Sequence, residues 1–220
     1  MSQQNLDEYL KNWDFKNNSI QPEESTLAAR LEIMTYRTLA EGHPVSPGRL
    51  ARAANVPLEI TETLFEQGKT LGGEWDVEGR LVGNVLTLNP TPHSFRINGK
   101  DLFTWCSLDA IHLPRLLGQT AEVESTDPVS GEKIRLTIPP DANPTYHPPE
   151  TVLSIILAHG DRNGPQSPLC SQMLFFASRD NAEIWIRDHP QATIMTVEEV
   201  YQLVRENVHA PLEKALKQLE

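Results

Sequence analysis

The chain has 220 residues, a formal net charge of −11 from 19 basic and 30 acidic side chains, and only two cysteines. The acidic balance argues against a general nucleic-acid binder, because non-specific affinity for phosphate comes from Lys and Arg. Two cysteines cannot build a disulfide scaffold or a four-thiolate zinc site. Cys106 and Cys170 can therefore be inert fillers, a single bridge or a reactive pair.

Targeting and membrane signals are absent from the pattern of the sequence. Residues 1–18 are polar and carry no apolar stretch, so we expect no signal peptide. The longest apolar run, residues 152–158, is far shorter than the roughly 20 residues of a membrane helix. These patterns predict a cytoplasmic protein with no membrane partner, in a compartment where thiols stay reduced.

Residues 25–90 are predicted to form a helical domain after a polar extension over residues 1–24. Apolar spacing, a Ser46 cap and helix-opening prolines predict three helices, over residues 25–39, 47–54 and 57–73. Residues 74–88 predict a β-hairpin that turns at Glu78-Gly79. Three helices followed by such a hairpin have the order of a winged helix.

A winged helix can read DNA through its third helix. Here that helix carries Glu59, Glu62 and Glu66 against only Lys69, so it repels phosphate. We therefore expect a structural or docking role and no nucleic-acid partner.

Residues 91–220 are predicted to form a second, strand-rich domain. The predicted strands cover residues 94–97, 120–125, 133–138, 152–157 and 173–176. An Asn98-Gly99 turn follows the first strand, and two proline-rich loops, residues 139–149 and 160–169, are not expected to join a ladder.

The chain returns to helix towards its C-terminus. Helices are predicted over residues 180–187 and 196–206, the latter opened by a Thr196/Glu199 capping box, with a last segment after Pro211. The fold class is therefore α+β: a winged-helix-like helical N-terminal domain followed by an antiparallel-sheet core with flanking helices.

Several familiar sites are missing from the sequence. Gly68-Lys69-Thr70 resembles the end of a phosphate loop, but Thr63 stands where that loop needs glycine. Dinucleotide-binding, hydrolase-elbow and zinc-protease motifs do not occur. The seven histidines have no paired ligand spacing, so each is expected to be a surface or loop residue rather than a metal ligand.

A cysteine and an aspartate stand three residues apart in Trp105-Cys106-Ser107-Leu108-Asp109. Residues 103–111 are predicted to begin a helix, which places Cys106 in or near its first turn. The helix dipole there lowers the pKa of a thiol. Asp109 shares the helix face and can take or return a proton. The alternative is a buried cysteine with Asp109 stabilising the helix N-terminus.

The second cysteine, Cys170, lies between a loop and a strand-like apolar run. If it meets Cys106 and Asp109, the site has two soft sulfur ligands and a proton donor. Thiolates select soft metals such as Hg(II), Cu(I) or Zn(II). The alternatives are two unrelated buried thiols or one bridge, which a reducing compartment disfavours.

Two segments resemble the signature blocks of the alkylmercury (organomercurial) lyases: residues 105–109 and residues 170–178, Cys-Ser-Gln-Met-Leu-Phe-Phe-Ala-Ser. Residues 116–121 and 42–46 are similar as well, so the resemblance covers about residues 25–210. It implies that Cys106 and Cys170 bind mercury. It also implies that Asp109 is the acid/base, as well as a further contact for the metal.

The resemblance also implies an activity and partners. Protonolysis of the carbon–mercury bond would release a hydrocarbon and leave Hg(II) on the two sulfurs, with no cofactor. Small cellular thiols and a mercuric reductase would take the Hg(II). Phe103, Trp105, Phe175 and Phe176 could line a dry substrate pocket or simply pack the core.

The chain departs from many family members at two places. It lacks their further cysteine in the region of residues 123–130, and Ser171 stands where they have a second cysteine after Cys170. Two other functions share these residues. One is a mercury- or copper-binding protein of the same fold without catalysis, and the other is a winged-helix regulator that responds to metal.

Overall fold

The N-terminal part of the protein is helical. The computed structural model describes residues 22–156, 169–209 and 217. Its first helices are α1 (Pro22–Leu39), α2 (Pro47–Ala54) and α3 (Leu58–Leu71). The Ser46 hydroxyl accepts a hydrogen bond from the Arg49 N–H at 3.3 Å, so the predicted cap is confirmed. Most of the predicted polar extension and the segment after Pro211 lie outside the described residues.

The strands of the described ranges form two antiparallel sheets. The larger contains β1 (Glu74–Trp75), β2 (Leu81–Asn84), β3 (Leu86–Thr87), β4 (His93–Ile97), β5 (Lys100–Thr104), β6 (Ala121–Thr126), β7 (Lys133–Ile138) and β8 (Thr145–His147). Its spatial order is β1-β2-β3-β5-β4-β6-β7-β8. The smaller sheet has the order β10-β9-β11, from β9 (Val152–Ile156), β10 (Phe175–Phe176) and β11 (Ala192–Thr196). The predicted mixture of helices and antiparallel strands is confirmed.

The predicted hairpin at residues 74–88 is present and continues into the larger sheet. The Asp76 N–H donates to the Arg80 carbonyl at 2.9 Å around the turn, and Gly79 has a positive φ of 71°. Strand β3 pairs with β5, so backbone hydrogen bonds run across residue 90 without a break. The winged-helix likeness and the boundary at residue 90 stay predictions.

Two local predictions were wrong. Phe103 and Thr104 belong to strand β5 rather than to a helix, because they pair with Ser94 and His93 of β4. The helix α4 (Ser107–Leu117) begins only after Cys106. In the proline-rich loop at residues 139–149, strand β8 pairs with β7. An edge strand needs hydrogen bonds on one side only, which proline-flanked segments can supply.

Helix α4 contacts both the N-terminal helix α1 and the larger sheet. Nine of its residues are buried, and it packs against α1 and the larger sheet. The Arg37 Nε of α1 donates to the Leu116 carbonyl of α4 at 3.0 Å. Two further helices, α5 (Arg179–Ile186) and α6 (Val197–Val204), flank the smaller sheet. The Thr196/Glu199 capping box at the start of α6 is confirmed.

Of the six histidines in the described ranges, three are not surface residues, in contrast to the prediction. His93, His112 and His209 are buried. The rings of His112 and His209 stack at 5.2 Å between centroids, and Nδ1 of His112 lies 3.2 Å from Nε2 of His209. Burial lowers the pKa of His112 to about 3, and nearby His209 adds to the shift, so His112 is neutral.

Among the described residues, no helix is long and apolar enough to cross a bilayer.

Candidate mercury-binding site

Three side chains from two segments that are far apart in sequence meet at the start of α4. One ligand atom each of Cys106, Asp109 and Cys170 lies within 4.8 Å of the other two. In the described ranges, no other group of three His, Cys, Asp or Glu side chains has this proximity. The two cysteines are thiols with no disulfide between them, so the predicted meeting of the pair occurs and the single bridge does not.

Cys106 is the residue at which the chain turns from strand β5 into helix α4. Its backbone is extended, with φ −150° and ψ 174°, as is usual for the residue that caps a helix. Its N–H donates to Oδ2 of Asp109 at 3.1 Å, and its carbonyl accepts the Thr104 hydroxyl at 3.0 Å. The carboxylate that serves as the proton carrier in the predicted chemistry is therefore also bonded to the backbone of the first cysteine.

Cys170 begins a short 3-10 turn, Cys170–Gln172, just before strand β10. The Met173 N–H closes this turn on the Cys170 carbonyl at 3.2 Å. The Met173 carbonyl accepts the N–H of Ser107 at 3.0 Å. This N–H is one of the donors that a helix leaves without a partner in its first turn. The two cysteine-bearing segments are thus directly hydrogen-bonded to each other.

The thiol of Cys106 is held in its protonated form. Burial raises the pKa of Cys106 well above its ordinary value, and a hydrogen bond with Cys170 and the charge of Asp109 raise it further. A lowered pKa was predicted from the helix N-terminus, and that prediction was wrong. The stabilisation from a helix dipole is worth about 1 kcal/mol, which is less than the cost of burying a thiolate beside a carboxylate.

The aromatic residues around the site are mainly packed into the core. Phe175 and Phe176 are fully buried. The ring of Phe175 contacts His93 edge-on at 5.8 Å between centroids, and that of Phe176 contacts Trp185 at 5.5 Å. Trp105 is buried and donates its indole N–H to Glu74, whereas Phe103 is half-buried.

One polar pair near Asp109 was not found by sequence reasoning. The Tyr36 hydroxyl of α1 donates to Oε1 of Glu32 at 2.9 Å. Burial raises the pKa of Tyr36, followed by the charge of Glu32, and the charge of Asp109 contributes too. Tyr36 therefore lies within electrostatic range of Asp109. Its i, i+4 spacing from Glu32 was visible in the sequence, but nothing there showed that α1 packs beside α4.

Two buried thiols beside a carboxylate, at the junction of a helix with antiparallel strands, are the side chains that a soft metal prefers as ligands. Residues 86–209 match the family model for alkylmercury lyase. The chain belongs to the alkylmercury lyase family.

Individual relatives agree with this assignment. The chain is 37% identical over 179 residues to an alkylmercury lyase of Streptomyces lividans, covering 81% of this chain and 79% of that protein. It is 34% identical over 185 residues to one of Pseudomonas putida, covering 84% and 86%. A solved structure, the mercury-bound form of MerB2, superposes with a TM-score of 0.71 at 20% identity, covering 97% of this chain and 99% of that one. This last match shows the shared fold.

Proposed function

We propose that this protein cleaves the carbon–mercury bond of organomercurials by protonolysis, with Cys106, Cys170 and Asp109 as its catalytic residues. The observation that carries the proposal is the approach of the two sulfurs and the carboxylate to within 4.8 Å of one another. Membership of the alkylmercury lyase family supports the same chemistry. The product would be a hydrocarbon, with Hg(II) retained on the two sulfurs.

The proposed reaction balances without a cofactor. Asp109 takes the proton of one thiol as that sulfur bonds to the mercury of R–Hg⁺. The second thiol adds to mercury and releases its proton to solvent, which pushes electron density towards the Hg–C bond. Asp109 then protonates the carbon as this bond breaks, because a carbanion is a poor leaving group unless it is protonated. R–H departs and Hg(II) is held between two thiolates.

The raised pKa of Cys106 fits this sequence of proton transfers. A thiol that stays protonated still holds, when substrate arrives, the proton that the carbon will need. Asp109 hydrogen-bonds to the Cys106 backbone, so it lies within reach of the proton donor. Proton transfer is therefore coupled to mercury binding and does not precede it.

The proposal also covers the domains of the protein and the acceptors of its Hg(II) product. We place a winged-helix-like domain at residues 25–90, after a polar extension at residues 1–24, and the catalytic domain at residues 91–220. The exposed acidic side chains of α3 support a structural role for the first domain over DNA contact. Small cellular thiols and a mercuric reductase in the cytoplasm are the proposed acceptors of Hg(II).

The test is detection of hydrocarbon in the headspace after the purified protein is mixed with excess thiol and an organomercurial. The wild-type protein should release methane or benzene, and Cys106→Ser, Cys170→Ser and Asp109→Asn should each lower the rate by about 10²-fold or more. Asp101→Asn, an exposed aspartate of β5, is the matched control. A wild-type protein that binds mercury through both thiols but yields no hydrocarbon would be a binding protein instead.

A further inference from the structure

Strand β9 carries one polar side chain in an otherwise aliphatic strand. All five residues of β9 are buried, and four of them are Val or Leu or Ile. The fifth, Ser154, is 1% exposed. A buried hydroxyl lowers the stability of the folded protein unless it has hydrogen-bond partners. The partners of the Ser154 hydroxyl therefore indicate its role.

Ser154 makes three hydrogen bonds to the segment that follows Cys170. Its hydroxyl donates to the Gln172 carbonyl at 2.7 Å and accepts the Leu174 N–H at 3.0 Å. Its own N–H donates to the Leu174 carbonyl at 3.0 Å. Strand β10 covers only Phe175–Phe176. The Ser154 hydroxyl therefore supplies hydrogen bonds to the residues just before β10, which are not paired as a regular strand.

The same segment is bonded on its other side to the first cysteine's helix. Met173 lies between the two residues that Ser154 holds, and its carbonyl accepts the Ser107 N–H. Its N–H closes the turn on the Cys170 carbonyl. The peptide groups between Cys170 and β10 are thus fixed from both sides, by Ser154 and by the residue directly after Cys106.

We propose that Ser154 is a positioning residue, whose hydroxyl holds the turn at Cys170–Gln172 so that the sulfur of Cys170 meets the same mercury as the sulfur of Cys106. This rests on the function proposed above. Without the hydroxyl, the Gln172 carbonyl and the Leu174 N–H lose these two hydrogen bonds, so the turn is held less firmly in its position. A shift of about 1 Å in a reacting group can lower a rate by about 10²-fold.

The experiment compares substitutions that differ only in the hydroxyl. Ser154→Ala removes it, and Ser154→Thr and Ser154→Val form an isosteric pair with and without it. Ser125→Ala is the matched control, because Ser125 is a strand serine that is 2% exposed and bonds to His93 instead of the cysteine-bearing turn. Three quantities are measured below each variant's unfolding midpoint: kcat, KM, and affinity for Hg(II) in competition with a small dithiol.

We expect Ser154→Ala and Ser154→Val to lower kcat and the Hg(II) affinity by about tenfold or more, with KM changed by less than about threefold. Ser154→Thr and Ser125→Ala should stay within about threefold of wild type in all three quantities. Equal kcat and Hg(II) affinity in Ser154→Ala and Ser125→Ala would overturn the proposal. Should Ser154→Ala fail to fold, equal Hg(II) affinity in the Thr and Val variants overturns it.

The result also separates this inference from the function on which it rests. If the wild-type protein releases no hydrocarbon, the proposed catalysis is wrong. The Hg(II) affinities then still show whether Ser154 positions Cys170. If the wild type is active and all Ser154 variants match it, only the positioning role is lost.

Discussion

The indole N–H of Trp105 donates to Oε2 of Glu74 at 2.8 Å, which connects the first strand of the larger sheet to the residue before Cys106. The other carboxylate oxygen of Glu74 accepts from the Asn89 side chain at 3.1 Å. The carboxylate lies across Gly83 of the neighbouring strand, where a Cβ atom would overlap it. The hairpin formed by β1 and β2 is therefore hydrogen-bonded to the residue that precedes Cys106.

Loss of the Glu74 carboxylate should destabilise the protein. Glu74→Ala leaves the buried indole N–H of Trp105 without its acceptor, which costs about 1–3 kcal/mol. Glu74→Gln keeps an acceptor oxygen and should cost less. Gly83→Ala, which displaces the carboxylate from the other side, should destabilise in the same direction. Urea unfolding measures all three, and equal stability of Glu74→Ala and wild type would contradict the structural role of this bond.

Asp109→Asn should make Cys106 more reactive while it stops hydrocarbon release. The negative charge of Asp109 is one of the causes that raise the pKa of Cys106, so its removal lowers that pKa. The Asn oxygen can still accept the Cys106 N–H. The measurement is the rate of iodoacetamide alkylation against pH, made in a Cys170→Ser background so that Cys106 is the only cysteine present. An unchanged or higher midpoint in the double variant would show that the Asp109 charge does not act on this thiol.

Stability should fall in mild acid in part because of His93, whose titration adds to that of the buried His112. Burial lowers the pKa of His93 from 6.5 to about 4 in the folded protein. Between these two values the unfolded chain binds a proton that the folded protein does not, so stability decreases as the pH falls from 6.5 towards 4. At pH 4.5 this contribution amounts to about 2–3 kcal/mol relative to pH 7.5.

His93→Gln should make the loss of stability in acid less steep than in wild type. Urea unfolding at several pH values between 4.5 and 7.5 gives the two slopes. His43→Gln, at an exposed histidine, controls for the substitution itself. Parallel pH profiles for wild type and His93→Gln would assign the acid sensitivity to other groups.

Substitution of Asp127 should lower the stability of the protein more than substitution of an exposed carboxylate. Its Oδ2 accepts the Ala177 N–H at 2.7 Å and the Asn181 side chain at 2.8 Å, and its Oδ1 accepts the Val129 N–H at 2.7 Å. These bonds join the β6–β7 turn to the start of α5. Burial opposes ionisation, yet the hydrogen bonds outweigh it and lower the pKa of Asp127.

Asp127→Ala should therefore lower the unfolding free energy by about 3 kcal/mol, because the buried Ala177 N–H loses its acceptor and the bonds to Asn181 and Val129 are lost as well. Asp101→Asn, at an exposed aspartate, should change it by less than about 0.5 kcal/mol. Thermal or urea unfolding of both variants provides the comparison. Equal effects would mean that the Asp127 bonds are replaced by water.

Features that depend on near neighbours were predictable from the sequence. The Ser46 cap, the Thr196/Glu199 capping box and the Asn98-Gly99 turn, with φ of 50° and 70°, all occur where expected. Each depends on side chains and backbone groups within about four residues, so tertiary contacts do not alter it.

Features that depend on distant segments were not predictable. Thr104 is a strand residue because β3 and β4 flank β5, and His112 is buried because the segment with His209 covers it. Strand β8 forms among prolines because β7 offers it an edge. No local pattern carries this information, since the partner in each case comes from elsewhere in the chain.

The sequence by itself determined the composition of the site: two cysteines, an aspartate three residues after the first, and flanking residues typical of one enzyme family. Only the tertiary structure decided that the three groups meet and that the thiol of Cys106 stays protonated. The physical reason is that proximity and burial are properties of the packed chain. Here the proximity comes from hydrogen bonds that join three parts of the chain: the start of helix α4, the segment after Cys170, and the Ser154 hydroxyl.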